Sequence, residues 1–133
     1  MPNRRDCLTM LPLLLLPALA ESSPALQPAM QRARELRDAA VRAGDQPYGA
    51  VVVRGIEIVG EGPSRVVTAS DPTAHAEREA MRDALRRLGT ADLSGCVLVS
   101  TSRPCRMCET AAAAARIQRM VYGDVLTDAG PPA

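Results

Sequence analysis

The sequence predicts one domain of the α/β class, in which helices alternate with short strands. Three observations favour this class: apolar residues at helical spacing in three segments, Val- and Ile-rich runs between them, and glycines where helices should end. The chain has 133 residues, of which 47% are hydrophobic, and this composition is typical of a globular domain with one core. Phe and Trp are absent, so the core must be built mainly from Val, Leu, Ile, Met and Ala.

Three segments have the pattern of amphipathic helices. Apolar residues recur every three or four positions between 29 and 43, and Gly44 follows as a stop. The same spacing predicts a second helix from about 73 to 88, which ends before Gly89. A glycine at these positions ends a helix readily because it adopts the left-handed conformation. A third helix is expected to open around Cys105.

Four apolar runs predict strands. The first two flank a turn at Arg54-Gly55, which indicates an antiparallel hairpin. The last two follow helices, and strands joined by helical crossovers are usually parallel, so the sheet should be mixed. The loop at 61–72 is long enough to suggest a functional role, and the tail at 124–133 should have little regular structure. The four runs are residues 48–53, 56–60, 96–100 and 119–123.

The first twenty residues predict a signal peptide. Arg4 and Arg5 precede an apolar run that ends in Ala18-Leu19-Ala20, the small-x-small pattern that a signal peptidase needs. Paired arginines before the run resemble a twin-arginine export signal, and an ordinary secretory signal is the alternative. We therefore expect an exported protein, periplasmic or secreted, with residues 1–20 removed.

The same segment does not predict a membrane anchor. The apolar run is too short to span a bilayer, and Pro12 and Pro17 would interrupt a helix there. Residues 21–28 have the composition of a linker. The domain itself is expected at 29–133.

The charge balance argues against nucleic acid as a partner. Residues 1–20 carry two arginines and one aspartate, so removing them from the 16 basic and 15 acidic residues leaves 14 of each. Nucleic-acid binding depends on an excess of positive charge that pairs with phosphates. A small-molecule substrate is the better expectation.

Cys105 and Cys108 raise three alternatives: a disulfide, a redox pair or part of a metal site. Without the signal peptide the chain keeps a third cysteine, Cys96, which starts an apolar strand and is expected to be a small buried side chain. A thioredoxin-like pair would follow the first strand and have aromatic neighbours, whereas this pair follows the third. An exported dithiol redox protein remains one alternative.

The metal alternative involves His75, the only histidine of the chain. His75 and the cysteine pair each lie at the start of a helix, and such starts lie side by side at one edge of an α/β sheet. One imidazole and two thiolates make three zinc ligands and leave a fourth position for water, as in catalytic zinc sites. Glu77, two residues after His75, can carry protons without binding the metal.

Two stretches closely resemble the zinc-dependent cytidine, deoxycytidylate and nucleobase deaminase superfamily: DPTAHAEREAMRDA at 71–84 and TSRPCRMCETAAAAARIQRMVYG at 101–123. They contain the H-x-E and P-C-x-x-C signature of zinc deaminases. The resemblance extends from about residue 48 to residue 123. It implies a three-layer α-β-α sandwich of the cytidine deaminase type with a mixed sheet.

The resemblance also implies a reaction and its residues. Zinc held by His75, Cys105 and Cys108 would activate water, and Glu77 would shuttle protons while ammonia leaves an amino-substituted ring. The backbone around Ala76 would help to hold the base. A histidine in the first motif, together with LVSTSRPC and the late TDA, is most similar to guanine deaminases and their small-nucleobase relatives; the tRNA-adenosine branch shares part of these motifs.

Several positions depart from the family pattern. Ser64 stands where the family usually carries an Asn that touches the base or sugar, so the resemblance makes Ser64 a candidate substrate contact. Arg103 and Arg106 flank the first cysteine, where they would favour an anionic substrate or lie on a solvated surface. A zinc-binding protein of the same fold that has lost catalysis is a further alternative.

The C-terminus is the largest departure. Family members generally continue after VYG with a fifth strand and helices, and the ten residues that follow Gly123 are too few for these. We therefore expect a C-terminally shortened fold with an exposed strand edge at 120–122. An exposed edge invites pairing with another chain, so a homodimer is expected.

Overall fold

The computed structural model describes residues 22–133, with side chains from Leu26 onward. The predicted signal peptide at 1–20 lies outside the described residues, so export stays a prediction. Within the described part, no helix has the length and the apolar character needed to cross a membrane.

Five strands form one mixed sheet in the order β2-β1-β3-β4-β5. Strand β1 is antiparallel to both β2 and β3, β3 and β4 are parallel, and β5 is antiparallel to β4. The predicted hairpin and the parallel crossover are both present. The elements are α1 (Ser22–Arg42), β1 (Gly49–Arg54), β2 (Glu57–Pro63), α2 (Ala76–Leu88), β3 (Cys96–Ser100), α3 (Arg106–Ala114), β4 (Arg119–Tyr122) and β5 (Thr127–Gly130).

The helices cover both faces of the sheet and so make three layers. Alternate residues of a strand point to opposite faces, and strand β1 illustrates this. Ala50 and Val52 are buried in the core cluster with α2 and α3, whereas Val51 and Val53 pack in the cluster with α1. The three-layer α-β-α sandwich predicted from the sequence is therefore confirmed.

Helix α1 begins earlier than predicted and includes the segment expected to be a linker. It starts at Ser22 and contains Pro28. Leu26 before the proline and Met30 after it are both buried in the core beneath α1. A proline inside a helix removes one hydrogen bond, but the apolar contacts on both sides of Pro28 hold the additional turns on the sheet. The linker prediction for 21–28 is wrong for the residues that α1 takes in.

The tail contains a strand that the sequence did not predict. Gly123 and Leu126 adopt positive φ angles of 77° and 53°, which turn the chain back after β4. Leu126 is buried in the core cluster beside α1, so burial of its side chain secures the turn. Strand β5 then pairs with β4, and the expectation of an irregular tail is wrong.

This pairing also covers the edge that was expected to be exposed. Met120, Val121 and Tyr122 all have register partners in β5. The argument for a homodimer through this edge therefore no longer holds, because these backbone groups are already paired within the chain. The homodimer itself stays a prediction.

Two glycines of β2 allow α2 to lie directly on the sheet. A Cβ atom on Gly62 would collide with the backbone of Ala76 and Ala80, and one on Gly60 would collide with Ala80 and Ala84. Because the obstacles are backbone atoms, they cannot move aside as a flexible side chain would. The glycines thus set the height of the α2 N-terminus above the sheet.

We expect Gly62→Ala to lower the free energy of unfolding by about 1–3 kcal/mol, the range typical of overpacking. The added methyl group has to push α2 away from β2. Urea denaturation of the two proteins measures the difference. Ile56→Ala, at a side chain that is 90% exposed, is the control and should change stability by less than about 0.5 kcal/mol; equal stability of Gly62→Ala and the unmodified chain would contradict the packing argument.

Candidate active site

Two helices of the same layer begin at one edge of the sheet, and each begins with a potential metal ligand. His75 is the N-cap residue of α2 and Cys105 is the N-cap residue of α3, both in extended backbone conformation. Neither side chain makes a capping hydrogen bond to its own helix, although N-cap side chains commonly do so. The imidazole and the thiol are thus free to face each other.

The three predicted zinc ligands meet at this edge. Nδ1 of His75 lies 3.5 Å from Sγ of Cys105 and 3.5 Å from Sγ of Cys108, and the ligand atoms of all three lie within 4.8 Å of one another. With Zn–S near 2.3 Å and Zn–N near 2.0 Å, tetrahedral geometry separates such atoms by about 3.5 Å. The spacing and the donor types both fit zinc.

The ligand set is closed on one side and open on the other. Cys108 is buried, His75 is half-buried and Cys105 is exposed. The open side faces a cavity of about 600 Å³ whose walls are residues 46–48, residues 75–77, Ser102, Arg103 and Cys105. Three protein donors with an open side are typical of a catalytic zinc site rather than a structural one.

Glu77 lines the same cavity although its side chain is almost fully buried, with 4% exposed. The hydroxyl of Ser100 donates a hydrogen bond of 2.6 Å to Oε1 of Glu77. The thiol of Cys108 lies 3.7 Å from the other oxygen, Oε2. The carboxylate is therefore held in one orientation, next to the metal ligands and in contact with the cavity.

Ser100 is a contact that the sequence analysis missed. It is the last residue of β3 and is fully buried. A hydroxyl at the end of an otherwise apolar strand was the available signal, because strand ends at this edge of an α/β sheet approach the ligand site. Its partner Glu77 is 23 residues away in the sequence, which concealed the pairing.

Burial and the neighbouring carboxylate determine the protonation of Cys108 without metal. Desolvation, reinforced by the negative charge of Glu77, raises the pKa of the Cys108 thiol far above its usual value. The free thiol is therefore protonated at neutral pH and donates toward Glu77. A metal ion has to displace this proton before the sulfur can bind it.

Of the two candidate substrate contacts, Ala76 and Ser64, only Ala76 lines the cavity. Ala76 has almost no solvent-accessible surface, but it is part of the cavity wall, so its role as a substrate contact stays a prediction. Ser64 is also buried, but its hydroxyl donates to Asp45 at 2.9 Å and the residue is not part of the wall. The geometry gives no support to Ser64 as a substrate contact, because its hydroxyl is engaged elsewhere.

The structure also locates the two arginines and the third cysteine that the sequence analysis singled out. Arg103 lies on the cavity wall, whereas Arg106 is exposed at the first position of α3 and outside the wall. Cys96 is buried at the start of β3, at the opposite end of that strand from Ser100, as expected. Cys96, Cys105 and Cys108 are all free thiols, so the described part of the chain contains no disulfide.

We expect the purified chain to hold about one zinc ion per subunit. Cys105→Ser and Cys108→Ser should lose most of it, while Cys96→Ala, the control, should keep it. Because a proton must leave each ligand thiol, the affinity for zinc should fall on acidification by up to about tenfold per pH unit for each proton that zinc displaces. Metal analysis and competition with a chelator at several pH values measure both effects; full zinc in Cys108→Ser, or a pH-independent affinity, would contradict the assignment.

Curated relatives share this region. A guanine deaminase of Bacillus subtilis is 42% identical over 101 residues, which is 75% of this chain and 65% of the relative. A tRNA-specific adenosine deaminase of Aquifex aeolicus is 42% identical over 89 residues, 65% of this chain and 59% of the relative. A tRNA(Ile)-lysidine synthase of Deinococcus deserti is 48% identical over 99 residues, but these are only 19% of that protein. The chain thus spans less than two thirds of the length of each.

The fold and the family agree. The solved structure of guanine deaminase from Bacillus subtilis matches with a TM-score of 0.69 at 40% identity, covering 72% of this chain and 62% of that one. The family model for the cytidine and deoxycytidylate deaminase zinc-binding region matches residues 24–124. This range contains His75, Glu77, Cys105 and Cys108 in the arrangement described above. The chain belongs to the cytidine and deoxycytidylate deaminase family and carries the zinc-binding region of that family.

Proposed function

We propose that this protein is a hydrolytic deaminase that releases ammonia from a small nucleobase-like ring, with guanine as the first candidate. One observation carries the proposal: the buried carboxylate of Glu77 and the open side of the zinc ligands face the same cavity. A purely structural zinc site is closed by four protein ligands and has no use for such a carboxylate. The pairing is what hydrolysis at a ring carbon requires.

Zinc held by His75, Cys105 and Cys108 would supply Lewis-acid chemistry at its open position. In the overall reaction a C–O bond forms to water, the C–N bond breaks, and the amino group leaves as ammonia. Glu77 would accept a proton from the water and return it to the departing nitrogen. The hydroxyl of Ser100 binds Oε1 and so keeps the carboxylate in one orientation during both transfers.

The cavity supports a small ring as substrate. Its volume of about 600 Å³ lies within the range of small-molecule sites. Arg103 is the one arginine among the described wall residues, and its guanidinium offers several donors to a carbonyl oxygen or to an anionic substituent. In guanine one ring nitrogen separates the carbonyl carbon from the amino-substituted carbon, so the ring offers a carbonyl acceptor that suits this wall.

The relatives by themselves leave two substrate classes open, since a guanine deaminase and a tRNA-specific adenosine deaminase match with equal identity. Charge favours the small ring. Without residues 1–20 the chain has 14 basic and 14 acidic residues, whereas binding of RNA relies on excess positive charge. We therefore place free nucleobases before tRNA.

We expect the zinc-loaded chain to release ammonia from guanine faster than from cytosine, adenine or cytidine. Glu77→Gln should reduce the rate by about 10²- to 10⁴-fold, the contribution typical of a proton-transferring side chain, and should keep its zinc. Glu79→Gln is the matched control: it removes one carboxylate from the same helical turn but lies outside this cavity, so its rate should be unchanged.

Other results would point to the alternatives. Stoichiometric zinc with no ammonia from any ring, or with a rate insensitive to Glu77→Gln, would indicate a zinc-binding protein without catalysis. A chain without zinc that cycles between a dithiol and a disulfide at Cys105 and Cys108 would indicate a redox protein. A clear preference for tRNA would exclude the small-ring substrate while keeping the deaminase chemistry.

We also propose that the protein is exported and acts outside the cytoplasm, on the basis of the pattern in residues 1–20. The expected mature chain begins at Glu21, which N-terminal sequencing of the secreted or periplasmic protein would detect. Replacing Arg4 and Arg5 by lysine should block export if the twin-arginine pathway is used. Recovery of the full-length chain from the cytoplasm alone would refute the proposal.

A further inference from the structure

One carboxylate connects two segments next to the cavity. Asp45 lies in the loop between α1 and β1, directly before the wall residues 46–48. Its Oδ1 accepts hydrogen bonds at 2.8 and 2.9 Å, and its Oδ2 accepts two more at 3.1 and 2.7 Å. The donors are, in that order, the backbone N–H of Gln46, the hydroxyl of Ser64, and the backbone N–H groups of Val67 and Thr68.

Backbone hydrogen bonds extend this connection to the metal ligands. The N–H of Ser64 donates to the carbonyl of Tyr48 at 3.0 Å, and the N–H of Arg65 donates to the carbonyl of Ala74 at 3.0 Å. Ala74 directly precedes His75. The loop that Asp45 binds is therefore hydrogen-bonded both to the cavity wall at Tyr48 and to the segment that enters α2.

The charge of Asp45 is a permanent part of this arrangement. Partial burial acts to raise its pKa, but the hydrogen bonds from Thr68, Gln46 and Ser64 outweigh it and hold the pKa of Asp45 well below its usual value. Hydrogen bonds to an ionised acceptor are about twice as strong as neutral ones. The carboxylate thus stays ionised at neutral pH and keeps both segments in place.

The catalytic groups are held by other elements. Glu77 belongs to α2 and is oriented by Ser100 of β3, and Cys108 lies within α3. None of these side chains is a hydrogen-bond partner of Asp45. A change at Asp45 should therefore affect the cavity wall at 46–48 more than the metal or the proton carrier.

We propose that Asp45 is a positioning residue of the deaminase site: through loop 64–68 it holds wall residues 46–48 against the substrate ring and so determines how tightly the ring binds. This inference rests on the proposed function. It also assigns a role to Ser64, whose hydroxyl serves Asp45 instead of the substrate.

The test compares zinc-loaded, full-length Asp45→Asn with the unmodified chain, using guanine as substrate. An amide keeps one acceptor oxygen but presents an NH₂ group to N–H donors, so at least one hydrogen bond to a charged acceptor is lost. KM should rise about tenfold, the order expected for one such bond. The kcat should stay within about twofold and the zinc content should be unchanged. Ser64→Ala, which removes one donor only, should raise KM less.

Asp92→Asn is the matched control. Asp92 also accepts a backbone N–H and a hydroxyl, both from Ser94, in the loop between α2 and β3, at the other end of the sheet. This variant should lose local hydrogen bonds without a change in KM. Amide hydrogen exchange should be faster at Gln46, Tyr48, Val67 and Thr68 in Asp45→Asn only.

The outcomes separate this inference from the proposed function. An unchanged KM would mean that Asp45 only stabilises the fold, and a parallel loss of kcat or zinc would mean that it acts on the metal centre; either result overturns the proposal. If the unmodified chain releases no ammonia, the proposed function fails. Calorimetry of guanine binding to both proteins then tests whether Asp45 determines how tightly the ring binds. Guanine binding about tenfold weaker in Asp45→Asn would support the positioning role of Asp45. Equal binding to both proteins, or no binding to either, would overturn that role.

Discussion

The site depends on two helix N-termini that meet at one edge of the sheet. His75 ends the loop that enters α2, and Cys105 ends the loop that enters α3, so each ligand occupies the last position before helical geometry begins. The positive end of a helix dipole and its free N–H groups favour negative charge at such positions. Close packing of α2 on the glycines of β2 brings its N-terminus into reach.

Burial gives this arrangement its chemistry. The carboxylate of Glu77 and the thiol of Cys108 lie 3.7 Å apart with almost no access to solvent. Burial disfavours the charged thiolate, and a second negative charge at this distance from Glu77 would be repelled as well, so the pKa of Cys108 is raised. A divalent cation bound by the sulfur would remove this repulsion. Proton release from the ligands and metal binding are therefore coupled.

Much of the fold and most of the metal centre could be predicted from the sequence, because they depend on local patterns. Helical spacing located α2, and Cys105 and Cys108 lie at i and i+3 around one helix start. The motif around His75 and Glu77 supplied the rest of the site. The errors lie where tertiary burial overrides local signals: Leu26 and Met30 keep the chain helical across Pro28, and Leu126 folds the tail into β5.

By itself, the sequence located the three helices and four of the five strands of the described residues, and it identified the residue types that can bind zinc and carry protons. Only the tertiary structure decided which polar groups pair across the fold. Ser100 orients Glu77 from 23 residues away, and Ser64 binds Asp45 from 19 residues away. The reason is that buried polar groups must find hydrogen-bond partners, and only the assembled fold determines which donors and acceptors come within reach.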